Sequence, residues 1–122
     1  MKKTVVIIPT YNEIENISLI IDSLFNINLT LDVLVVDDNS PDGTSKVVKN
    51  LMDKYKKKLF LEKKDKKEGL GVAYVHGFNW ALVRNYDYIF QMDADLSHNP
   101  NELKKMTTRL DLDADVIIGL SL

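Results

Sequence analysis

The sequence predicts an α/β protein in which helices cover both faces of a doubly wound, mostly parallel sheet. Two observations lead to this prediction. Short apolar runs, several of them β-branched, recur along the chain without the alternation of apolar and polar residues that marks a half-exposed sheet. Segments with the apolar periodicity of helices separate these runs. The 122 residues suffice for one ordinary core, so we expect a single domain over residues 1–122.

The first predicted strand is residues 5–8, a β-branched run that stops at Pro9. The helix after it is expected to begin at Asn12, whose side chain can cap it, with Glu15 completing a capping box. Four apolar residues recur at helical spacing and are expected to form its buried face: Ile14, Ile17, Ile21 and Leu24.

A second strand and helix follow the same pattern. Residues 33–36 form the second buried apolar run, and Ser40 with Pro41 predicts a helix cap followed by a proline in the first turn. Apolar positions of this helix again recur at helical spacing: Val47, Val48, Leu51, Met52 and Tyr55.

Three more strands are predicted at residues 59–61, 88–90 and 116–118. A helix between the first two of these is expected to bury Val75, Phe78 and Leu82. Another helix is predicted from residue 99, where an asparagine cap, a proline and a glutamate follow the rules for a helix start.

Polar residues follow three of the predicted strands, at residues 9–13, 37–40 and 93–95. Ligands of open α/β sheets bind beyond the carboxyl ends of the strands, so these segments are expected to meet at one edge. Asp93 and Asp95 can face a single hard cation, Mg²⁺ or Mn²⁺, and leave coordination sites for the phosphates of a nucleotide. An acidic turn before a helix is the alternative use of such a pair.

Four other polar residues are candidates for binding the rest of a nucleotide. Asp37 and Asp38 can accept hydrogen bonds from a base or ribose, Tyr11 offers a flat ring for stacking, and Glu13 can accept from sugar hydroxyls. Ordinary turn and rim positions remain the alternative for all four. The same choice applies to the glycines at 69 and 71, which suit either a phosphate or a tight turn.

Composition excludes several classes of protein. The absence of cysteine excludes disulfides and zinc–thiolate sites, and the net charge of −2 argues against nucleic acid as a partner. No apolar run reaches the roughly 18 residues of a membrane span, so a cytoplasmic protein is expected. Eight lysines within residues 54–67 are either a solvated run or a surface that attracts phosphate or an anionic membrane.

Four motifs together resemble those of inverting GT-A glycosyltransferases, in particular the dolichol-phosphate (polyprenol-phosphate) mannosyltransferases. They are Val-Val-Ile-Ile-Pro-Thr-Tyr-Asn-Glu at 5–13, Val-Val-Asp-Asp-Asn-Ser-Pro-Asp-Gly-Thr at 35–44, Gly-Leu-Gly at 69–71 and Gln-Met-Asp-Ala-Asp-Leu-Ser-His-Asn-Pro at 91–100. The resemblance runs from Thr4 to about Gly119 and implies the Rossmann-like GT-A fold, of which this chain would be the N-terminal, nucleotide-binding portion.

The resemblance also implies a reaction and a set of site residues. Mannose would pass from GDP-mannose to a polyprenyl or dolichyl phosphate with inversion, at the surface of a membrane and with Mg²⁺ or Mn²⁺ as cofactor. Residues in three segments would bind the nucleotide sugar: Pro9, Tyr11 and Glu13; Val36 and Asp38; Asp93, Ala94 and Asp95. Asp93 and Asp95 would bind the metal and so take the catalytic role.

One position departs from the family pattern. Ser121 stands where the family has an arginine, and most of the family's acceptor site has no counterpart in residues 1–122. Three alternatives therefore stay open: a truncated product, a second chain that completes the site, and a non-catalytic nucleotide-sugar-binding fragment or subunit. A receiver-type signalling domain is a remote alternative, because it would need its acidic pair after the first strand and a lysine after the fifth.

Overall fold

A computed structural model describes residues 3–27, 30–94 and 117–121, which form five strands and three helices. In chain order the elements are β1 (Thr4–Thr10), α1 (Ile17–Asn26), β2 (Asp32–Asp37), α2 (Thr44–Lys54), β3 (Leu59–Lys63), α3 (Leu70–Leu82), β4 (Tyr88–Gln91) and β5 (Ile117–Ser121). The helix predicted from residue 99 lies outside the described residues.

The strands form one sheet in the order β3-β2-β1-β4-β5, and every pairing in it is parallel. One hydrophobic cluster joins α1 and α2 to the first face, and a second cluster joins α3 to the other. The predicted doubly wound parallel sheet is thus confirmed. A receiver domain would have the order 2-1-3-4-5, so the observed order argues against that alternative.

The first helix begins later than predicted. Asn12 does not cap it; its backbone is left-handed, with φ 55°, and its N–H donates to Ser40 Oγ at 2.9 Å. The helix starts at Ile17, and Ile14 remains 40% exposed instead of joining the buried face. The hydrogen bond to Ser40, in the loop after β2, therefore keeps Asn12 outside the helix to which the local sequence assigns it.

The start of the second helix was also predicted too early. Ser40 hydrogen-bonds to Asp37, and α2 begins at Thr44 after Gly43, which has a φ of 94°. The predicted apolar face is confirmed, because Val48 is buried and the other four residues pack against the same core.

The buried face of α3 differs from the prediction. Val75 is 61% exposed and Leu82 42% exposed, while Phe78 is half-buried. The residues that face the sheet are the small ones, spaced four apart: Ala73, Gly77 and Ala81. Small side chains allow α3 to lie close to β1 and β2, so the size of a side chain was a poor guide to its burial here.

Gly77→Ala is expected to destabilise the protein by about 2 kcal/mol, as overpacking of a tight core does. A Cβ at this position would lie 2.7 Å from Ile7 Cγ2 and 3.1 Å from Val36 Cγ2. Both are stiff β-branched side chains on central strands, so neither can move aside cheaply. The measurement is urea unfolding followed by circular dichroism.

Gly71→Ala is the matched control, because it lies on the same helix and a Cβ there meets nothing within 4 Å. It should be neutral, or stabilising by up to about 1 kcal/mol through helix propensity. Equal destabilisation by both variants would show that the close approach at Gly77 does not matter.

Within residues 3–27, 30–94 and 117–121, no helix combines the length and apolar character needed to cross a membrane.

Candidate functional site

A cleft of about 410 Å³ opens at the carboxyl edge of the sheet, beside the point where β1 separates β2 from β4. Nine residues line it: Pro9, Tyr11, Glu13, Asp38, Lys67, Gly69, Leu70, Asp93 and Ala94. Six of the eight predicted site residues therefore meet in one cleft. Val36 does not line it; this residue is buried in β2 beneath α3. Asp95 lies outside the described residues.

Asp37 fastens the ends of β1 and β2 together below the cleft. Its buried carboxylate accepts hydrogen bonds from Thr10 Oγ1 at 2.7 Å, Ser40 Oγ at 2.6 Å and Ser40 N at 2.9 Å. Every partner is local to the two strand ends. Asp37 is thus a structural residue, a role that the sequence analysis did not assign to it.

Asp38 points the other way and holds the segment that precedes α3. Its carboxylate accepts from Glu68 N at 2.9 Å and from Gly69 N at 2.8 Å, and Lys64 Nζ lies 3.4 Å away. Lys64 is itself buried and also pairs with Glu68 at 2.8 Å. The predicted base-binding aspartate therefore fixes one wall of the cleft.

The surroundings of Asp38 stabilise the ionised form of its carboxyl group. Burial acts to raise the pKa of this carboxyl, but the N–H groups of Glu68 and Gly69 and the ammonium of Lys64 lower it. The net result is a pKa below the ordinary aspartate value. Asp38 is therefore ionised at neutral pH despite its burial.

The segment after β1 is held by side chains from the loop after β2. Glu13 N donates to Thr44 Oγ1 at 3.1 Å, and Ile14 N donates to Asp42 Oδ2 at 3.2 Å. These bonds, with the one from Asn12 to Ser40, fix the backbone beside Tyr11 and Glu13. Both side chains enter the cleft from a constrained loop.

Lys67 lies above the ring of Tyr11, with 4.0 Å between its Nζ and the ring centroid. In the sequence this lysine is only one member of a basic run. Nothing local distinguishes it from Lys66, since the contact with Tyr11 joins residues 56 positions apart.

Asp93 follows β4 and lines the far side of the cleft. Its Oδ1 accepts a hydrogen bond from Tyr74 Oη at 3.0 Å, so α3 helps to orient the carboxylate. The backbone just before Asp93 is held against β1, because Met92 N donates to Ile7 O at 3.0 Å.

The sequence profile described as glycosyl transferase family 2 matches residues 5–121. The chain belongs to glycosyl transferase family 2. The polyprenol monophosphomannose synthase of Mycolicibacterium smegmatis is 42% identical over 118 residues, which are 97% of this chain and 44% of that protein. The undecaprenyl-phosphate mannosyltransferase of Micrococcus luteus is 42% identical over 117 residues, 96% of this chain and 47% of its own length. The chain spans about half the length of these relatives.

Solved structures of glycosyltransferases share the fold of this family 2 chain. The mannosyltransferase PcManGT from Pyrobaculum calidifontis, in complex with GDP-Man and Mn²⁺, has a TM-score of 0.72 and 27% identity over 88% of this chain and 32% of its own. S. aureus TarS in complex with UDP-GlcNAc has a TM-score of 0.77 and 26% identity over 90% of this chain and 31% of that one. The predicted GT-A fold is therefore confirmed.

The family 2 cleft contains the type of ligand that a hard divalent cation requires. Among the described residues no three metal-binding side chains cluster together. A Mg²⁺ ion bound with phosphates takes only one or two carboxylates from the protein, however, and Asp93 is such a carboxylate in the cleft wall. The chemistry of the residues present therefore fits the predicted cation.

Proposed function

We propose that this family 2 chain binds GDP-mannose and transfers its mannose to a polyprenyl or dolichyl phosphate with inversion. The observation that carries the proposal is the convergence of Tyr11, Glu13, Asp38 and Asp93 on one cleft from the ends of three strands. Its volume, about 410 Å³, lies in the range of small-molecule sites. The names of the two bacterial relatives support the sugar and the acceptor.

Four residues have defined roles in this proposal. The ring of Tyr11 stacks on the guanine or ribose, and Glu13 accepts hydrogen bonds from sugar hydroxyls. Asp93 and Asp95 hold Mg²⁺ or Mn²⁺, which when bound neutralises charge on the departing diphosphate. The complex of PcManGT with GDP-Man and Mn²⁺ supports both the donor and the cation.

The acceptor is a suitable nucleophile without help from a strong base. A phosphate monoester has a second pKa of roughly 6 and is already dianionic at neutral pH. We propose that residues 1–122 form one donor-binding domain, and that the acceptor contacts come mainly from elsewhere, from a longer chain or a second one. The lipid would be met at a membrane surface, to which the exposed lysines at 54, 56–58, 63, 66 and 67 are attracted.

A non-catalytic donor-binding protein is the second candidate, and Ser121 favours it. Ser121 lies at the carboxyl end of β5 and pairs with Gln91, two residues before Asp93. The family pattern that this sequence resembles implies an arginine there, so a cation expected beside the phosphates is replaced by a neutral residue. Binding and transfer must therefore be measured separately.

Calorimetric titration of the 122-residue chain with GDP-mannose, GDP and UDP, with and without Mn²⁺, tests the proposal. Binding of GDP and GDP-mannose that requires Mn²⁺ is expected, and UDP should bind more weakly. A parallel assay follows mannose transfer to a short polyprenyl phosphate in detergent. Binding without transfer would favour the non-catalytic candidate, and absence of all nucleotide binding would overturn both.

A further inference from the structure

Three of the four charged residues that line the described part of the cleft are acidic, although the proposed donor is itself an anion. Glu13, Asp38 and Asp93 all line the cleft, and Lys67 is the cationic side chain among the described lining residues. The charge of Asp38 is already balanced by Lys64 and two backbone N–H groups. Lys67 instead lies over the ring of Tyr11, and both residues line the cleft.

The backbone on the carboxyl side of Lys67 is fixed. Glu68 N and Gly69 N both donate to Asp38, and Gly69 has a φ of 100° and a ψ of 162° as the chain enters α3. On the other side, Lys64 is anchored in its buried ion pair. The side chain of Lys67 therefore begins from a constrained position at the rim, while its own flexible stem lets the ammonium move.

The contact with Tyr11 is one that a phosphate can replace. Lys67 is exposed, and cation–π contacts at exposed sites are weak compared with a charge-assisted hydrogen bond to phosphate. Movement of the ammonium towards a phosphate would also uncover the ring face on which a base can stack. One displacement would thus serve both parts of the nucleotide.

We infer that Lys67 binds the phosphates of the nucleotide-sugar donor, leaving the ring of Tyr11 as it does so. The inference rests on the proposed function and adds to it a phosphate-binding residue from the segment that Asp38 holds. Lys66 provides a contrast, because it is an exposed neighbour of equal charge that does not line this cleft.

Lys67→Gln, Lys67→Arg and Lys66→Gln test the inference by NMR titration with GDP, UDP and guanosine in the presence of Mg²⁺. Lys67→Gln is expected to weaken GDP and UDP about tenfold or more, the usual cost of a charge-assisted hydrogen bond. Guanosine, which lacks phosphate, should change by less than about twofold, and Lys67→Arg should keep most of the affinity for GDP. Lys66→Gln should stay within about twofold for every ligand.

Several outcomes would overturn the inference. Unchanged GDP affinity in Lys67→Gln would do so, as would equal weakening of GDP and guanosine, which would mean that Lys67 acts only through Tyr11. An equal loss in Lys66→Gln would point to general attraction by the lysine run. Failure of the wild-type chain to bind any nucleotide would instead overturn the proposed function, and the inference with it.

Discussion

Asp93→Asn is expected to weaken Mn²⁺-dependent binding of GDP-mannose by about 100-fold, and transfer by at least as much. Asparagine keeps the shape of the side chain and can still accept the hydrogen bond from Tyr74, so the fold should survive. What is lost is the negative charge that holds a cation against the diphosphate. Calorimetry with GDP-mannose, repeated in Mn²⁺ and in EDTA, measures the loss directly.

Two control variants separate charge from position. Asp53→Asn makes the same change on an exposed residue of α2, away from the cleft, and should leave binding within about twofold. Tyr74→Phe removes the hydrogen bond from the Tyr74 hydroxyl to Asp93 and keeps both aspartates, so it should cost about tenfold or less. Metal dependence that persists in Asp93→Asn would place the cation elsewhere.

The partnership of Asp93 with Asp95 is testable through additivity. If both carboxylates hold the same ion, Asp95→Asn and the double variant should lose little more than the single Asp93 variant, because residues acting on one ligand are strongly coupled. Losses that multiply would mean that the two residues act separately. The comparison with Asp95→Asn is needed because Asp95 lies outside the residues that the structure describes.

The strands were predictable from the sequence because burial on both faces leaves a local signature. Apolar runs without alternation, rich in valine, stand at the positions of β1 and β2, and both strands are almost wholly buried. Each strand end is followed by polar residues, and parallel geometry alone brings those ends together. The location of the cleft therefore followed from element order.

The helix starts were missed for a reason that local sequence does not contain. Asn12 and Ser40 have the side chains of good helix caps, yet the backbone N–H of Asn12 donates to Ser40 Oγ, and Ser40 Oγ in turn donates to Asp37 at the end of β2. The tertiary contact outweighs the local preference, which amounts to about 1 kcal/mol per cap. In α3 the closeness of helix and sheet selected glycine and alanine over the larger apolar residues.

The types of residue in the site were predictable from the sequence, but the partners that each side chain contacts were not. Asp37 and Asp38 are adjacent and chemically identical, and only the family resemblance implied the ligand-binding role for the second. Only the structure shows that one fastens the strand ends while the other holds the segment carrying Lys67. Those partners lie up to 31 positions away, beyond the reach of any local pattern.

Asp37→Ala is expected to reduce the free energy of unfolding by about 3 kcal/mol or more, because it leaves buried donors on Thr10 and Ser40 without an acceptor. Asp38→Ala should act more locally. The surface segment up to Gly69 can open and return Lys64 and the freed N–H groups to water. Urea unfolding measures the first effect, and hydrogen exchange at Glu68 and Gly69 measures the second.

The two alanine variants should therefore differ in what they damage. Asp38→Ala should weaken GDP at least tenfold while keeping a cooperative urea transition, whereas Asp37→Ala should lose both stability and binding. A stability loss in Asp38→Ala as large as that in Asp37→Ala would contradict the local role. Faster exchange at Gly69 without weaker binding would show that the ordered segment does not serve the nucleotide.

The pH dependence of the Asp38 contribution has a definite sign. Because the pKa of Asp38 is depressed in the folded protein, its stabilising effect is complete above the ordinary aspartate pKa and is lost as the pH falls through the lower folded value. The protection of the Glu68 and Gly69 amides against hydrogen exchange, corrected for the intrinsic rate, should thus be constant from about pH 8 to about pH 5. It should be lost only below about pH 4. Protection already lost between about pH 7 and pH 6 would mean that a group other than the ionised Asp38 holds this wall of the cleft, since no aspartate with a lowered pKa titrates there.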